Sequence, residues 1–585
     1  MKKLEKRLYD HLQFLYGETT AEAVYPRILK RLNEFRGQNP ALAASSPENR
    51  LSERDSILIT YGDMVQAEGQ SPLQTLGSFL KKYVGDVIST VHILPFFPYS
   101  SDDGFSVIDY YQVNPAFGDW GDIFSLGKHF RLMFDAVINH VSSQSAWFQA
   151  FLRGDPRFQE YFTIVEPGTD LSKVFRPRAS PVVTPFQTVD GEKLVWTTFS
   201  ADQVDLNFAN PEVLMEVIDI LLFFALHGAD FIRLDAVTFV WKEIGTRCIN
   251  SPHTHRVVQT LRTVLDIAAP RVALITETNV PHKENIAYFG NGTNEAQMVY
   301  NFALPLLTLN AFHKGDVRTL TAWASTLELP SDQASFFNFL ACHDGIGIMP
   351  VKDILSQEEL DRVVERTQEL GGFVSYKSNE DGSQSPYELN INYLDALDDP
   401  QHPEQDTEKI ACRFLASQSI MLALRGVPGI YFHSLFGSRN WKAGVEQTGR
   451  YRTINREKLH LETLERELSD PTSLRYHVFQ GFRRMLNARQ ANPAFHPMSE
   501  QKILSVSAAV FALLRSSRDG KQHTLCLVNV TPQPQAIKID LRNLPLADEV
   551  DFVNTLNGQT YAAENAVLAL EIAPYQVLWL QAPGR

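Results

Sequence analysis

Positive charge is the scarcer sign in this chain. Its 585 residues carry 54 Lys and Arg against 68 Asp and Glu, a net charge of −14 at pH 7 with His neutral. Phosphate backbones and anionic bilayers need a basic surface, so nucleic acid and membrane are excluded as main partners. A small anion needs only a local cluster of Arg and stays open. Cysteine is sparse as well: Cys248, Cys342, Cys412 and Cys526 stand far apart with no CxxC pair. That argues against a structural zinc and fits a reducing compartment. No apolar run reaches membrane-spanning length. The basic opening Met1–Arg7 is followed by neither an apolar signal core nor an A-x-A site, and repeats and low-complexity stretches are lacking. The expectation is a cytoplasmic, soluble protein large enough for more than one domain.

What is present is strand–helix alternation. Residues 1–50 place apolar side chains at helical spacing (Leu8, Leu12, Leu15, then Ile28, Leu32, Phe35) and read as an N-terminal helical extension. Strands are expected at Ser56–Tyr61, Val87–Leu94, Arg131–Val137, Ala229–Asp235, Val272–Glu277, Met298–Leu304, Ala334–Leu340 and Gly429–Phe432. Helices are expected between them, as at Leu73–Tyr83, Leu214–His227, Ser251–Ala269 and Ile410–Leu424. Eight such strands are what a closed (β/α)8 barrel, a TIM barrel, requires. The alternation breaks twice, at 141–204 and 350–405, each too long for a plain loop and read as an inserted subdomain. The barrel then occupies 51–140, 205–349 and 406–499. From 500 to 585 short β runs separated by turn residues predict a C-terminal antiparallel β-sandwich.

Three carboxylates stand at strand tips: Asp235, Glu277, and Asp344 in the loop after a later strand. In a parallel barrel the C-terminal strand ends converge on one face. Arg233 shares a strand face with Asp235, since i and i+2 point the same way; on that segment alone catalysis and a structural ion pair are equally good readings. A pair of such acids suits retaining glycoside chemistry, one as nucleophile and one as acid/base, and a third can stabilise an oxocarbenium-like transition state. No H-x-x-H or D-x-D spacing accompanies the three acids, which sets a metal site aside.

The motifs sharpen this. Phe134–His140, Ile232–Val237, Ile275–Glu277 and Cys342–Gly345 occur in the order of the four signature regions of the α-amylase family, glycoside hydrolase family 13, and Gln203–Asn207 resembles its fifth. Within that family His92–Phe97, Asp102–Phe105, Arg176-Pro177-Arg178, Trp241-Lys242-Glu243, Gly426–Gly429 and Ile454–Arg456 resemble the sucrose phosphorylase-like branch over residues 55–585. The resemblance implies Asp235 as nucleophile, Glu277 as general acid/base and Asp344 as transition-state stabiliser. It implies a glucose subsite of Asp102, Phe105, His140, Arg233, His343 and Arg452, and phosphate contacts from Arg178 and Tyr387. It implies no cofactor.

The run Glu277–Gly290, the N-terminal extension and Phe436–Asn440 resemble the glucosylglycerate phosphorylase branch. The implied reaction converts 2-O-α-glucosyl-D-glycerate and phosphate reversibly into α-glucose 1-phosphate and D-glycerate, through a β-glucosyl-Asp235 intermediate. Sucrose 6'-phosphate, glucosylglycerol and sucrose phosphorolysis stand as alternatives; α-glucosidase or transglucosidase action and a non-catalytic sugar-binding role stand behind them. Glycerate carries a carboxylate, for which a cation such as Lys283, His282 or Arg439 is the expected partner. Arg233 is expected to lower the pKa of Asp235 by charge proximity. The partners implied are small molecules only, and the oligomeric state, monomer or homodimer, is left open.

Overall fold

The computed structural model describes residues 1–48, 50–379, 381–546 and 549–582. Eight short apolar runs, buried on both faces, form a closed parallel barrel: β1 (Ile57–Thr60), β2 (Thr90–Ile93), β3 (Arg131–Ala136), β4 (Ala229–Leu234), β5 (Ala273–Thr276), β6 (Met298–Tyr300), β7 (Ser335–Phe339) and β8 (Val427–Tyr431). Each pairs with its sequence neighbour, and β1 closes the ring by pairing with both β2 and β8. Strands covered by helices on the outside and by core inside carry continuous rather than alternating hydrophobicity, as the Ile57-Leu58-Ile59 run of β1 does.

The helices that cover the barrel begin at recognisable signals. Ser71-Pro72, Asn210-Pro211 and Ser251-Pro252 each place a capping side chain before a proline, and each cap accepts a backbone N–H of the first turn. The proline forfeits nothing there, because that N–H would be unpaired in any case. The N-terminal extension is built on two long helices, α1 (Lys2–Tyr16) and α2 (Glu18–Gln38), followed by the single turn Pro40–Ala43. They bury Leu8, Leu12 and Leu15 at i, i+4, i+7, and Val24, Ile28 and Leu32 at i, i+4, i+8, each the spacing of one apolar face. Arg7 to Asp266 at 2.7 Å and a two-pronged Arg27–Glu212 pair fix them to the barrel helices Pro252–Ala268 and Pro211–Leu226.

Several expected elements differ. The strand expected over Met298–Leu304 stops at Tyr300, and Ala303–Lys314 is helical; an apolar run of this length does not distinguish a buried strand from a buried helix. Phe432 likewise opens the helix Phe432–Leu435. The strand expected from Val87 begins at Thr90. The 350–405 segment has regular structure of its own: the helix Gln357–Glu369, opened by a Ser356/Glu359 capping box, and the hairpin Phe373–Ser378/Gln384–Asn390. Between β3 and β4 lie a three-stranded antiparallel sheet and a short pair, His140–Ser142 with Gln203–Asp205.

The C-terminal residues form a six-stranded antiparallel sheet facing a two-stranded one, with a separate apolar core between them. One buried arginine, Arg515, ties it to the barrel, and a second, Arg489, joins the first and last parts of the barrel itself. Arg515 donates to the carbonyls of Ala423 and His496, and Arg489 to those of Leu422, Glu53, Asp55, Gly426 and Phe495. Among the described residues no helix is long and apolar enough to cross a membrane.

Candidate active site

Strand direction brings the acids together. Arg233 in β4 sits in register with Asp135 in β3. Its guanidinium donates to Asp135 and, at 2.8 Å, to Oδ1 of Asp235; Nη2 lies 3.8 Å from Oε2 of Glu277, one residue beyond β5. One buried cation is thus shared by carboxylates from three successive strands. Asp135 is held on its other oxygen by His92 of β2, at 2.6 Å. Ala236 adopts a left-handed backbone (φ 45°), and its N–H donates to Oε2 of Glu277 at 2.8 Å. Non-glycine residues take that conformation at a cost and cluster at functional sites.

The three acids have separate electrostatics. Burial pushes the Glu277 carboxyl up, and Asp235 and Asp344 push it further, against Arg233 and the Ala236 N–H; the result is about 7. Burial also raises the Asp344 carboxyl, but Arg452, His343, Arg456 and Arg233 together outweigh it and hold the group below the usual carboxylate range. Asp235 departs from expectation. Arg233 does pull its pKa down, yet desolvation, with Asp135 and Asp344 adding, outweighs the pull and leaves it above its ordinary value. The guanidinium divides its attraction among Asp135, Asp235 and Glu277, and its strongest partner is Asp135, not Asp235.

The remaining predicted residues enclose the space above these acids. The cavity is lined by Asp102, Phe105, His140, Arg178, Asp235, Glu277, His343, Asp344, Tyr387 and Arg452. Arg233 lies beneath it. The Phe105 ring stacks flat on His343, centroids 4.6 Å apart and 6° from parallel. Burial drives the His343 pKa down to about 3, so this ring is neutral. Nε2 of His140 faces the Phe105 carbonyl at 2.8 Å and Gln203 at 3.1 Å. Arg452 bridges two acids, donating two bonds to Glu388 (2.8 and 3.1 Å) while Nη1 meets Asp344 at 2.5 Å.

The loop that presents Asp102 and Phe105 is conformationally demanding. Asp102, Asp103 and Gly104 all have positive φ, and a Cβ on Gly104 would lie 2.5 Å from the Pro95 carbonyl oxygen. We expect Gly104→Ala to lower stability by about 1–3 kcal/mol and to reduce kcat/KM by displacing both neighbours, measured by thermal unfolding and initial rates.

Several residues that shape the site carried no signal of their own. Glu388 is buried beside Tyr387; besides Arg452 it accepts the N–H of Gly345, and so fixes the loop after Asp344. Lys242 lies behind the pocket, 2.7 Å from Asp205 and donating to Asn139 at 2.8 Å, with Asn139 donating to Asp205. That buried network joins the two short strands carrying His140 and Gln203, which explains why Asn139, Asp205 and Lys242 belong to the motifs without lining the cavity. Phe199, Phe239 and Asn279 line it without having been singled out. The cations considered for a carboxylate acceptor do not: Lys283 is exposed, Arg439 pairs with Asp395 at 2.8 Å, and His282 is absent from the lining. Cys342, His343 and Asp344 place possible metal ligands within 4.8 Å of one another. They fit a cation poorly, because Arg452 and Arg456 already neutralise Asp344 and burial raises the Cys342 thiol pKa.

A closed parallel barrel with three differently tuned carboxyls gathered at its C-terminal face is an arrangement suited to a glycoside-active enzyme. The α-amylase catalytic domain matches residues 80–347, and the chain belongs to the α-amylase family. It is 48% identical to the glucosylglycerate phosphorylase of Spirochaeta thermophila over 98% of either chain, and 42% identical to that of Escherichia coli over 99% of this chain and 100% of that one. A sucrose phosphorylase of Streptococcus mutans is 29% identical over 81% of this chain and 95% of its own. In fold, the crystal structure of a sucrose 6F-phosphate phosphorylase from Thermoanaerobacter thermosaccharolyticum covers 88% of this chain and 100% of its own, with a TM-score of 0.73 and 24% identity. Within the α-amylase family the chain is accordingly a glycosyltransferase-type phosphorylase.

Proposed function

We propose that the protein is a retaining glucosylglycerate phosphorylase, acting reversibly on 2-O-α-D-glucosyl-D-glycerate and phosphate. The observation that carries the chemistry is that Asp235 and Glu277 converge on the one buried Arg233 guanidinium, at 2.8 and 3.8 Å, with burial pushing the Glu277 carboxyl up to about 7. An acid/base works best with its pKa close to the working pH. An Asp235 oxygen attacks the anomeric carbon; the bond to the glycerate oxygen breaks, its electron pair leaves on that oxygen, and Glu277 supplies the proton. Phosphate then attacks the glucosyl ester from the opposite face, the carbon–Asp235 bond breaks, and the Glu277 carboxylate takes up the phosphate proton. Net retention follows from two inversions.

Asp344, ionised through its arginines, faces the positive charge that develops on the sugar ring. The glucose subsite is completed by Asp102, Phe105, His140, Arg233, His343 and Arg452. Arg178 and Tyr387 are assigned to phosphate, since a dianion entering among three acids requires a cation and a fork suits its geometry. We read residues 141–204 and 350–405 as the modules that deliver those two side chains. The glycerate assignment rests on the high identity to glucosylglycerate phosphorylases along the whole chain.

Incubating the protein with phosphate and glucosylglycerate, glucosylglycerol, sucrose or sucrose 6'-phosphate tests the reading. Glucose 1-phosphate is expected to form fastest from glucosylglycerate. Free glucose as the main product would refute phosphorolysis, and faster release from another donor would refute the acceptor.

A further inference from the structure

A second cavity, of about 430 Å³, lies where the segment 172–176 meets the hairpin Phe373–Ser378/Gln384–Asn390. The chemistry above does not use it. Its walls carry the cations Arg176, Arg247, Lys352 and Lys377 against a single acid among the described residues, Asp381. Arg176, Arg247 and Lys352 by themselves outnumber Asp381 and Glu284, the latter 3.9 Å from Arg247, so the balance among the described residues is positive. On a chain with a net charge of −14 this is a local reversal of sign.

One side of this cavity is aromatic and shared. The Arg247 guanidinium and the Lys377 ammonium each lie 5.7 Å from the centre of the Phe175 ring. Phe175 stacks on Phe239 at 6.3 Å, and Phe239 meets Phe199 edge-on at 5.4 Å; those two rings line the catalytic cavity. The backbone joins the cavities too. Arg176 bridges to Ser378 and precedes Arg178 by two residues, and Lys377 stands on the strand paired with the one that carries Tyr387.

We propose that this outer cavity is an anion site, which holds one small oxyanion beside the Phe175–Phe239 wall before it enters the catalytic pocket. The inference rests on the phosphorolytic reading, in which phosphate, glucose 1-phosphate, glycerate and its glucoside are all negatively charged. Such anions approach a protein whose net charge and catalytic acids repel them. Cations gathered in a cleft raise local anion concentration and association rates by roughly 10–10³-fold, an effect that salt removes.

The test uses Arg247→Gln/Lys352→Gln and, separately, Lys352→Glu; neither position lines the catalytic cavity. Initial rates of glucose 1-phosphate formation are measured against phosphate, and of the reverse reaction against glycerate, at low and raised salt. Hydrolysis of α-glucosyl fluoride, an uncharged donor, reports on the catalytic machinery alone. At low salt the KM for the oxyanion is expected to rise about 3–10-fold, the lower range for a partial loss of steering, with kcat and the hydrolysis rate unchanged and a flatter salt dependence of kcat/KM. A shift for phosphate alone assigns the site to phosphate, and one for glycerate alone assigns it to the carboxylate. Unchanged KM values and salt slopes in both directions overturn the outer site and leave phosphorolysis standing. A wild-type enzyme that makes no glucose 1-phosphate overturns phosphorolysis and, with it, the outer site.

Discussion

Asp235→Asn is expected to lower glucosyl transfer by on the order of 10⁴-fold or more, the scale seen when a residue essential to a covalent mechanism is removed, while the protein stays folded. The amide keeps the shape of the side chain and can still accept from Arg233, but it lacks the anionic oxygen that forms the ester. The stability expectation has a definite sign. Asp235 is buried beside Asp135 and Asp344, and its carboxyl is pushed above its ordinary pKa, so ionisation works against the fold. A group whose folded pKa is raised contributes stability that is complete below its unfolded pKa and is lost as pH rises through the folded one. Removing the charge therefore raises the unfolding temperature at neutral pH or leaves it unchanged. Initial rates with both the natural donor and α-glucosyl fluoride, set beside thermal unfolding, check this. Retained turnover with either donor would remove Asp235 from the nucleophile's place.

The fold was legible because its signals are local. Each barrel strand is a short apolar run bounded by turn or capping residues, and the acids stand at the ends of those runs, where chain direction alone puts them on one face. What was not legible depends on distance in three dimensions. Arg233 reads in sequence as the partner of Asp235, two residues away, yet its strongest attraction is to Asp135 across the sheet. The pKa direction of Asp235 follows from that division and from burial, neither of which a sequence displays. Glu388 shows the same limit: in Tyr387-Glu388-Leu389 it looks like one more acid of an acidic segment. Only the fold reveals that it holds Arg452 and the Gly345 N–H, and so positions Asp344. The helix over Gln357–Glu369 was missed for a different reason. Its Ser356/Glu359 capping box and the i, i+3, i+7 spacing of Leu360, Val363 and Thr367 are both present in the sequence, but the segment is so polar overall that this narrow buried face is easily passed over.

Glu277→Gln separates proton transfer from nucleophilic attack. A glycerate leaving group needs a proton as the glycosidic bond breaks, and the amide cannot give one; a fluoride leaving group departs with little help. The variant is expected to lose roughly 10²–10⁴-fold in kcat with glucosylglycerate and much less in glucosyl-enzyme formation from α-glucosyl fluoride. The pH profile carries the second half of the argument. With the Glu277 carboxyl at about 7, burial being the main cause, kcat/KM of the wild type for glucosylglycerate should fall above pH 7 as the acid deprotonates. That alkaline limb should vanish in the variant. Stability follows the same group: the raised pKa means that wild-type stability from this site declines between the ordinary carboxylate range and about 7. Glu277→Gln should accordingly melt higher than the wild type at pH 8, with a smaller difference at pH 5. If the limb persists in the variant, another group titrates there and Glu277 is not the acid; if fluoride and glycerate donors lose rate equally, the residue serves the sugar rather than the leaving group.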